Sequence, residues 1–293
     1  MIETFNQPNN SPGPQPPNSK RLQIDSELRY QVDAPCEFVF LIHAATGMGQ
    51  NLVQESLVID PPLPYRTYVD ERSGNRFLRL QVPRGPFAVI YRAVADRMCV
   101  VPVVDAAEIP VHDIPDDVLH FIMPTRYCES DHLGPNALEL FGHLAPGYAR
   151  VQAICDWVHS NIAYTIGSTT ATSTARDVFM QRQGVCRDFA HLAVTFCRAL
   201  NIPARLVSGY ARFAEPPADF HAVFEAYLGG LWVLFDPTEM CKLDEIVRLA
   251  NGRDAKDVAF ATIFGPAQMV SMNPEVTLIS HLPMAPFTAV TTN

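Results

Sequence analysis

From Leu22 the chain alternates: Leu22, Ile24, Ser26, Leu28, Tyr30 and Val32 share one side, with mostly polar residues between them. A period of two is the pattern of a half-buried strand. Cys36 to Ile42 and Leu52 to Ile59 are further strand-like runs. Tyr65–Asp70 and Arg76–Val82 flank Ser73-Gly74-Asn75, a hairpin connection. Phe87–Val94 and Met98–Val104 complete the set. Short strands with turn signals and no helical period predict a β-sandwich-like domain over residues 21–105.

The period changes near Asp105. Pro115, Asp116 and Asp117 open a short helix whose apolar residues are Val118, Leu119, Phe121 and Ile122, and Met123-Pro124 ends it. Ala137–Phe141 is a second short helix. A longer one follows Pro146, with Val151, Ile154, Cys155 and Val158 on one face. Asn161–Thr165 reads as a loop or short extension, and Gly167–Thr172 as a small-residue loop. Thr174 with Asp177 makes a capping-box start, and Gly184 falls where a left-handed cap residue is expected. A helix then begins at Cys186, and Phe189, Ala193, Phe196 and Leu200 form its apolar stripe. Strands follow over Arg205–Phe213, Ala222–Leu228 and Leu231–Phe235, the last two joined by Gly229-Gly230. This order predicts an α+β domain over 106–270, with the Cys186 helix packed on an antiparallel sheet. Residues 1–20, rich in Pro and Asn, read as a disordered lead-in, and 271–293 as a C-terminal tail.

Composition narrows the function classes. Nearly half of the 293 residues are hydrophobic and the net charge is −9. No Lys/Arg block offsets that charge, so no nucleic-acid partner is expected, and no run is long enough to span a membrane. The N-terminus lacks a basic-then-apolar leader, so a cytoplasmic location is expected. The seven cysteines are scattered without a C-x-x-C pair, so neither a disulfide framework nor a metal or cofactor ligand set is expected.

One cysteine stands apart. Cys186 follows a glycine and opens a helix, where unpaired N–H groups and the helix dipole favour a thiolate. Its helix does not need it for the apolar stripe, whereas Cys155 and Cys197 lie in helix interiors as core residues. His221 opens a strand, and Asp236 ends an apolar strand at Asp-Pro-Thr. A carboxylate at a buried strand end requires a partner, and an imidazole N–H supplies one while fixing the tautomer. His191 is nearer in sequence, but five helical residues turn about 500°, or about 140° from the Cys186 face, so it reads as structural.

The ordered set Gly184-Val-Cys-Arg-Asp-Phe-Ala-His-Leu192, Cys197 to Ala211, His221 to Tyr227 and Trp232 to Thr238 resembles the bacterial transglutaminase-like superfamily. Residues 251–258 are similar to a tail motif of these proteins. The N-terminal strands, with Tyr68-Val69-Asp70 and Gly74-Asn75, resemble the β-rich region that often precedes this domain. The resemblance implies a papain-like α+β core with Cys186 as nucleophile, His221 as base and Asp236 as its orienting partner. Such a triad implies thiol-dependent acyl transfer at amide or peptide bonds through a thioester, by hydrolysis of a protein or peptide substrate. The alternatives are cross-linking transamidation and a non-catalytic module that binds protein in the same cleft. The backbone N–H of Cys186 is one expected oxyanion donor, and Tyr164 and Gln183 are candidates for the second. Many relatives carry Trp where Val223 stands, a change expected to alter the cleft wall.

Overall fold

A computed structural model describes residues 3–4 and 15–282, apart from 48, 101–102 and 214–218. The strands β1 (Glu3–Thr4), β2 (Ser19–Val32), β3 (Cys36–Phe40), β4 (Gln50–Asp60), β5 (Tyr65–Val69), β6 (Arg76–Val82) and β7 (Gly85–Met98) come first. They are followed by α1 (Asp116–Leu119), α2 (Gly134–Phe141), α3 (Tyr148–Asn161), β8 (Ala163–Tyr164), α4 (Ala175–Gln181), β9 (Gln183–Gly184) and α5 (Cys186–Ala199). Strands β10 (Ala204–Ala211), β11 (Phe220–Leu228), β12 (Leu231–Phe235) and β13 (Ile246–Gly252) precede α6 (Ala255–Val258), β14 (Ala261–Phe264) and β15 (Ala267–Leu282).

The alternation along β2 becomes burial: Leu22, Ile24, Ser26, Leu28, Tyr30 and Val32 are all inside. One sheet runs β1-β4-β7-β2-β15 and a second β14-β3-β6-β5. The rings of Tyr30, Phe38, Phe40 and Phe87 fill the space between, with centroids 5.2–6.4 Å apart. This β-rich unit is followed by a helical and sheet domain of α+β type, with α5 against the antiparallel sheet β12-β11-β10-β13. Among the described residues no helix is long and apolar enough to cross a membrane.

Several expectations need correcting. The last strand of the first set is continuous to Met98, and residues 99–100 are not strand. Residues 101–102 of the expected Met98–Val104 strand lie outside the described residues. The segment read as the end of the second domain and a tail returns to the sandwich: β14 pairs with β3, and β15 pairs with β2 along its length. Residues 283–293 of that tail lie outside the described residues, as does most of the 1–20 lead-in. Of the lead-in, Glu3–Thr4 pair with β4, and Ser19 and Lys20 already belong to β2. Finally, α5 is buried nearly all round rather than along one stripe, because α2, α3 and α4 cover the side that the sheet does not. Phe196 meets Phe141, Trp157 and Phe179 there.

A polar seam docks the two units. Gln50 accepts from the Arg248 N–H at 2.9 Å and donates to its carbonyl at 3.0 Å, pairing with edge strand β13 as a strand would. Asn75 does the same to Asn251. The Tyr210 hydroxyl donates to the Ile42 carbonyl at 2.8 Å. The β13 edge of the β12-β11-β10-β13 sheet is thereby covered.

Candidate active site

The thiol is placed by a short strand bridge. β8 and β9 pair in parallel, with Tyr164 opposite Gly184, and the Thr165 N–H donates to the Gly184 carbonyl at 2.9 Å. Arg182, not Gly184, takes the left-handed turn that ends α4, with φ 59°. The glycine is required for a different reason. A Cβ at 184 would stand 2.7 Å from the Asp188 Cβ, closer than side chains approach. Asp188 is the staple of this turn: its carboxylate accepts from the Val185 N–H at 3.0 Å, the Thr169 hydroxyl at 2.5 Å and the Arg187 guanidinium at 2.8 Å. The first turn of α5 is thus fixed with Cys186 at its N-terminal end, half-buried.

His221 and Asp236 come from adjacent strands. The pairing of Phe224 with Phe235 carries Asp236 to the same end and face of the sheet as His221. His221 Nε2 and Asp236 Oδ2 are 2.8 Å apart, and both residues are buried. Thr238 donates its N–H (2.9 Å) and hydroxyl (2.7 Å) to the other carboxylate oxygen, so Asp236 cannot rotate away. The second ring nitrogen, Nδ1, is buried and meets no hydrogen-bond geometry among the described residues. The Cys186 thiol, 4.0 Å from the Phe220 carbonyl, nevertheless lies close enough to the ring to favour its protonated form. A thiol and imidazole slightly beyond hydrogen-bond distance are common before substrate binds. Burial alone would pull the His221 pKa down. The bond to Asp236, with help from Cys186 and Cys241, outweighs it and holds the imidazole well above its ordinary value. Burial opposes ionisation of Asp236, but His221 and Thr238 keep its pKa below the ordinary carboxylate value.

The structure therefore brings Cys186, His221 and Asp236 together. It also brings Tyr164 beside Cys186. Burial and the neighbouring Cys186 push this phenol up to about 12, so it stays protonated and able to donate. The Gln183 side chain makes no hydrogen bond among the described residues, and nothing joins it to the thiol. His191 sits apart: its Nε2 accepts from the Ala255 N–H at 3.1 Å and its ring stacks on Tyr127. Val223 is wholly buried and packs with Val207 and Leu234.

Two residues beside the imidazole were not anticipated. Thr238 was legible as the third residue of Asp-Pro-Thr, a turn in which a hydroxyl caps the preceding carboxylate. Cys241 lies 3.7 Å from Asp236 Oδ2, and no spacing rule in the sequence points to it.

Comparison with known proteins agrees with this layout. Residues 137–237 match the model of the transglutaminase-like superfamily, and residues 20–114 match that of the bacterial transglutaminase N-terminal domain. A solved structure from Cytophaga hutchinsonii, provisionally described as a cysteine protease, is 37% identical. The match covers 97% of this chain and 96% of that one, with a TM-score of 0.85. An uncharacterized protein of Mycobacterium leprae is 37% identical over 120 residues, 37% of this chain and 42% of that protein. One from Mycobacterium tuberculosis is 31% identical over 115 residues, 34% of this chain and 37% of that protein. The chain spans about two fifths of the length of these curated relatives.

Proposed function

The chain belongs to the transglutaminase-like superfamily, and from that premise we propose that it is a cysteine peptidase or amidase acting on protein or peptide substrates. The observation that carries this reading is the buried 2.8 Å His221–Asp236 pair beside a thiol at a helix N-terminus. Cys186 Sγ, its proton taken by His221, attacks the carbonyl carbon. The Cys186 N–H and the Tyr164 hydroxyl donate to the developing oxyanion. The C–N bond breaks as His221 returns the proton to the leaving amine, and a thioester remains. Water, deprotonated by His221, then attacks the thioester carbonyl; the C–S bond breaks and the acid leaves. Asp236 holds the ring in the orientation these transfers need and stabilises the imidazolium.

Hydrolysis is favoured over transamidation by the description of the Cytophaga relative. The test is to incubate the protein with casein and a fluorescent primary amine. The expected result is new peptide fragments without amine incorporation, lost in Cys186→Ala. Amine incorporation would identify a transamidase. Unchanged cleavage in Cys186→Ala would overturn the mechanism. If no turnover occurs and iodoacetamide labels Cys186 no faster than the other cysteines, the cleft serves binding alone.

A further inference from the structure

His221 has a second chemical neighbourhood, on the edge of the ring that carries Nε2. There three unlike donor atoms converge: His221 Nε2, Asp236 Oδ2 and Cys241 Sγ, all within 4.8 Å of one another. The nitrogen–oxygen separation is 2.8 Å and the sulfur–oxygen separation 3.7 Å. Tetrahedral zinc takes nitrogen and oxygen at about 2.0–2.2 Å and sulfur at about 2.3 Å, which sets the edges between ligands at about 3.3–3.7 Å. Holding an ion therefore requires the His221–Asp236 pair to open by about half an ångström and the Cys241 sulfur, within 4.8 Å of the imidazole nitrogen, to sit about 3.3–3.7 Å from it. The carboxylate is already oriented for this: Thr238 occupies Oδ1 and leaves Oδ2 to face the other two donors. The Phe213 ring lies 5.0 Å from the imidazole, and Cys241 packs with it and Leu243 against the apolar cluster of Val207, Val223 and Leu234. Sulfur and imidazole donors disfavour Mg2+ and Ca2+, which take oxygen, and suit Zn2+.

We propose that His221, Asp236 and Cys241 form an inhibitory site for a thiophilic divalent cation, with Zn2+ the fitting ion. Binding exchanges the Cys241 S–H for a metal–sulfur bond and the His221 Nε2–H for a metal–nitrogen bond. When the ring starts as imidazolium, two protons pass to solvent and Nδ1 keeps its own. A ring with metal on one nitrogen and hydrogen on the other has no free lone pair, so it cannot accept the Cys186 proton. A water fills the fourth position. The inhibitory effect rests on the reading of His221 as the base, whereas the site itself does not.

The test separates the two. Full-length protein is titrated with Co2+, a spectroscopic stand-in for Zn2+, in thiol-free buffer. The expected result is a sulfur-to-cobalt charge-transfer band with the strong visible bands of four-coordinate cobalt. The band should persist in Cys186→Ala, vanish in both Cys241→Ala and Cys241→Ser, and be displaced by Zn2+. Loss in Cys186→Ala with persistence in Cys241→Ala, or no sulfur band in the parent protein, would overturn the site. Thermal melts of each variant show whether it folds, and Cys241→Ser keeps the test valid should the alanine variant not fold. Inhibition is read as the ratio of Cys186 alkylation rates with and without Zn2+ in each protein. That ratio should fall at least tenfold in the parent and stay near one in Cys241→Ser. A cobalt band without any effect on alkylation would leave the metal site standing and refute its action through His221.

Discussion

Gly184→Ala adds one methyl group at the point where the chain turns into the thiol-bearing helix. That carbon would lie 2.7 Å from the Asp188 Cβ and 3.1 Å from Oδ2. Ordinary contact begins near 3.4 Å, so the turn must move by about 0.7 Å or more. Asp188 Cβ is fixed to the α5 backbone and cannot swing clear. Overpacking of this kind costs about 1–3 kcal/mol. Displacing the carboxylate from Val185 and Thr169 costs about a further 1.5–3 kcal/mol, the range for a hydrogen bond to a charged group. The sum, about 2.5–6 kcal/mol, lowers the melting temperature by about 4–10 °C in a chain of this size. The sandwich and the β12-β11-β10-β13 sheet share one buried apolar cluster, so a single thermal transition should carry the shift. A displacement approaching 1 Å at the nucleophile should also slow Cys186 alkylation and turnover by about a hundredfold. Calorimetry and alkylation kinetics read the two effects, and Asp188→Asn, which keeps the shape, isolates the share due to charge. A Gly184→Ala protein with parental melting temperature and alkylation rate would refute the claim that close approach to Asp188 sets the nucleophile.

Tyr164→Phe removes one proposed oxyanion donor and should lower kcat by about 10²-fold or more with little change in KM, measured in steady-state hydrolysis. Equal loss in KM alone would assign the hydroxyl to substrate binding. Glu225 is wholly buried, 2.7 Å from Arg205 and also paired with Arg248. Glu225→Gln should destabilise the fold by about 3–5 kcal/mol in urea unfolding, because two buried guanidiniums lose their shared carboxylate. Burial holds His191 at about 3, so it folds in its neutral form. That contribution is complete above the unfolded value of 6.5 and is lost as pH falls from there toward about 3. Between pH 6 and 4, unfolding free energy should therefore fall with a slope shallower by about 1.4 kcal/mol per pH unit in His191→Gln. Equal slopes would show that His191 does not set the acid limit.

The features most legible in sequence were those with a strict period or a turn signal. The β2 alternation and the Gly229-Gly230 hairpin appear where the pattern puts them, and both glycines have positive φ. Strand β15 was missed because it is an edge strand: only Pro274 and Val276 along it are buried, and Pro274 interrupts its middle. The sequence suggested Gly184 as the left-handed residue because glycine adopts that conformation most readily, yet Arg182 takes it and the glycine makes room for Asp188. Cys186, His221 and Asp236 could be picked out because a helix start and two strand ends each leave a local mark. Cys241 leaves none, and no local pattern separated Tyr164 from Gln183 as the neighbour of Cys186. Both arise from tertiary placement, which local pattern does not encode.

The pairing of β15 with β2 bears on biosynthesis. Residues 267–282 complete a sheet whose other strands are made before the whole transglutaminase-like segment. While that segment is synthesised, the long β2 edge stays open, a site for mispairing with other chains. The charged Asp25, Glu27 and Arg29 along β2 oppose such contacts until the proper partner arrives. The sheet closes through contacts between residues far apart in the chain, so folding should be slow, with the β15–β2 ladder among its late events. A ribosome-bound chain lacking β15 should be sensitive to protease and prone to aggregate even with Cys186, His221 and Asp236 already synthesised.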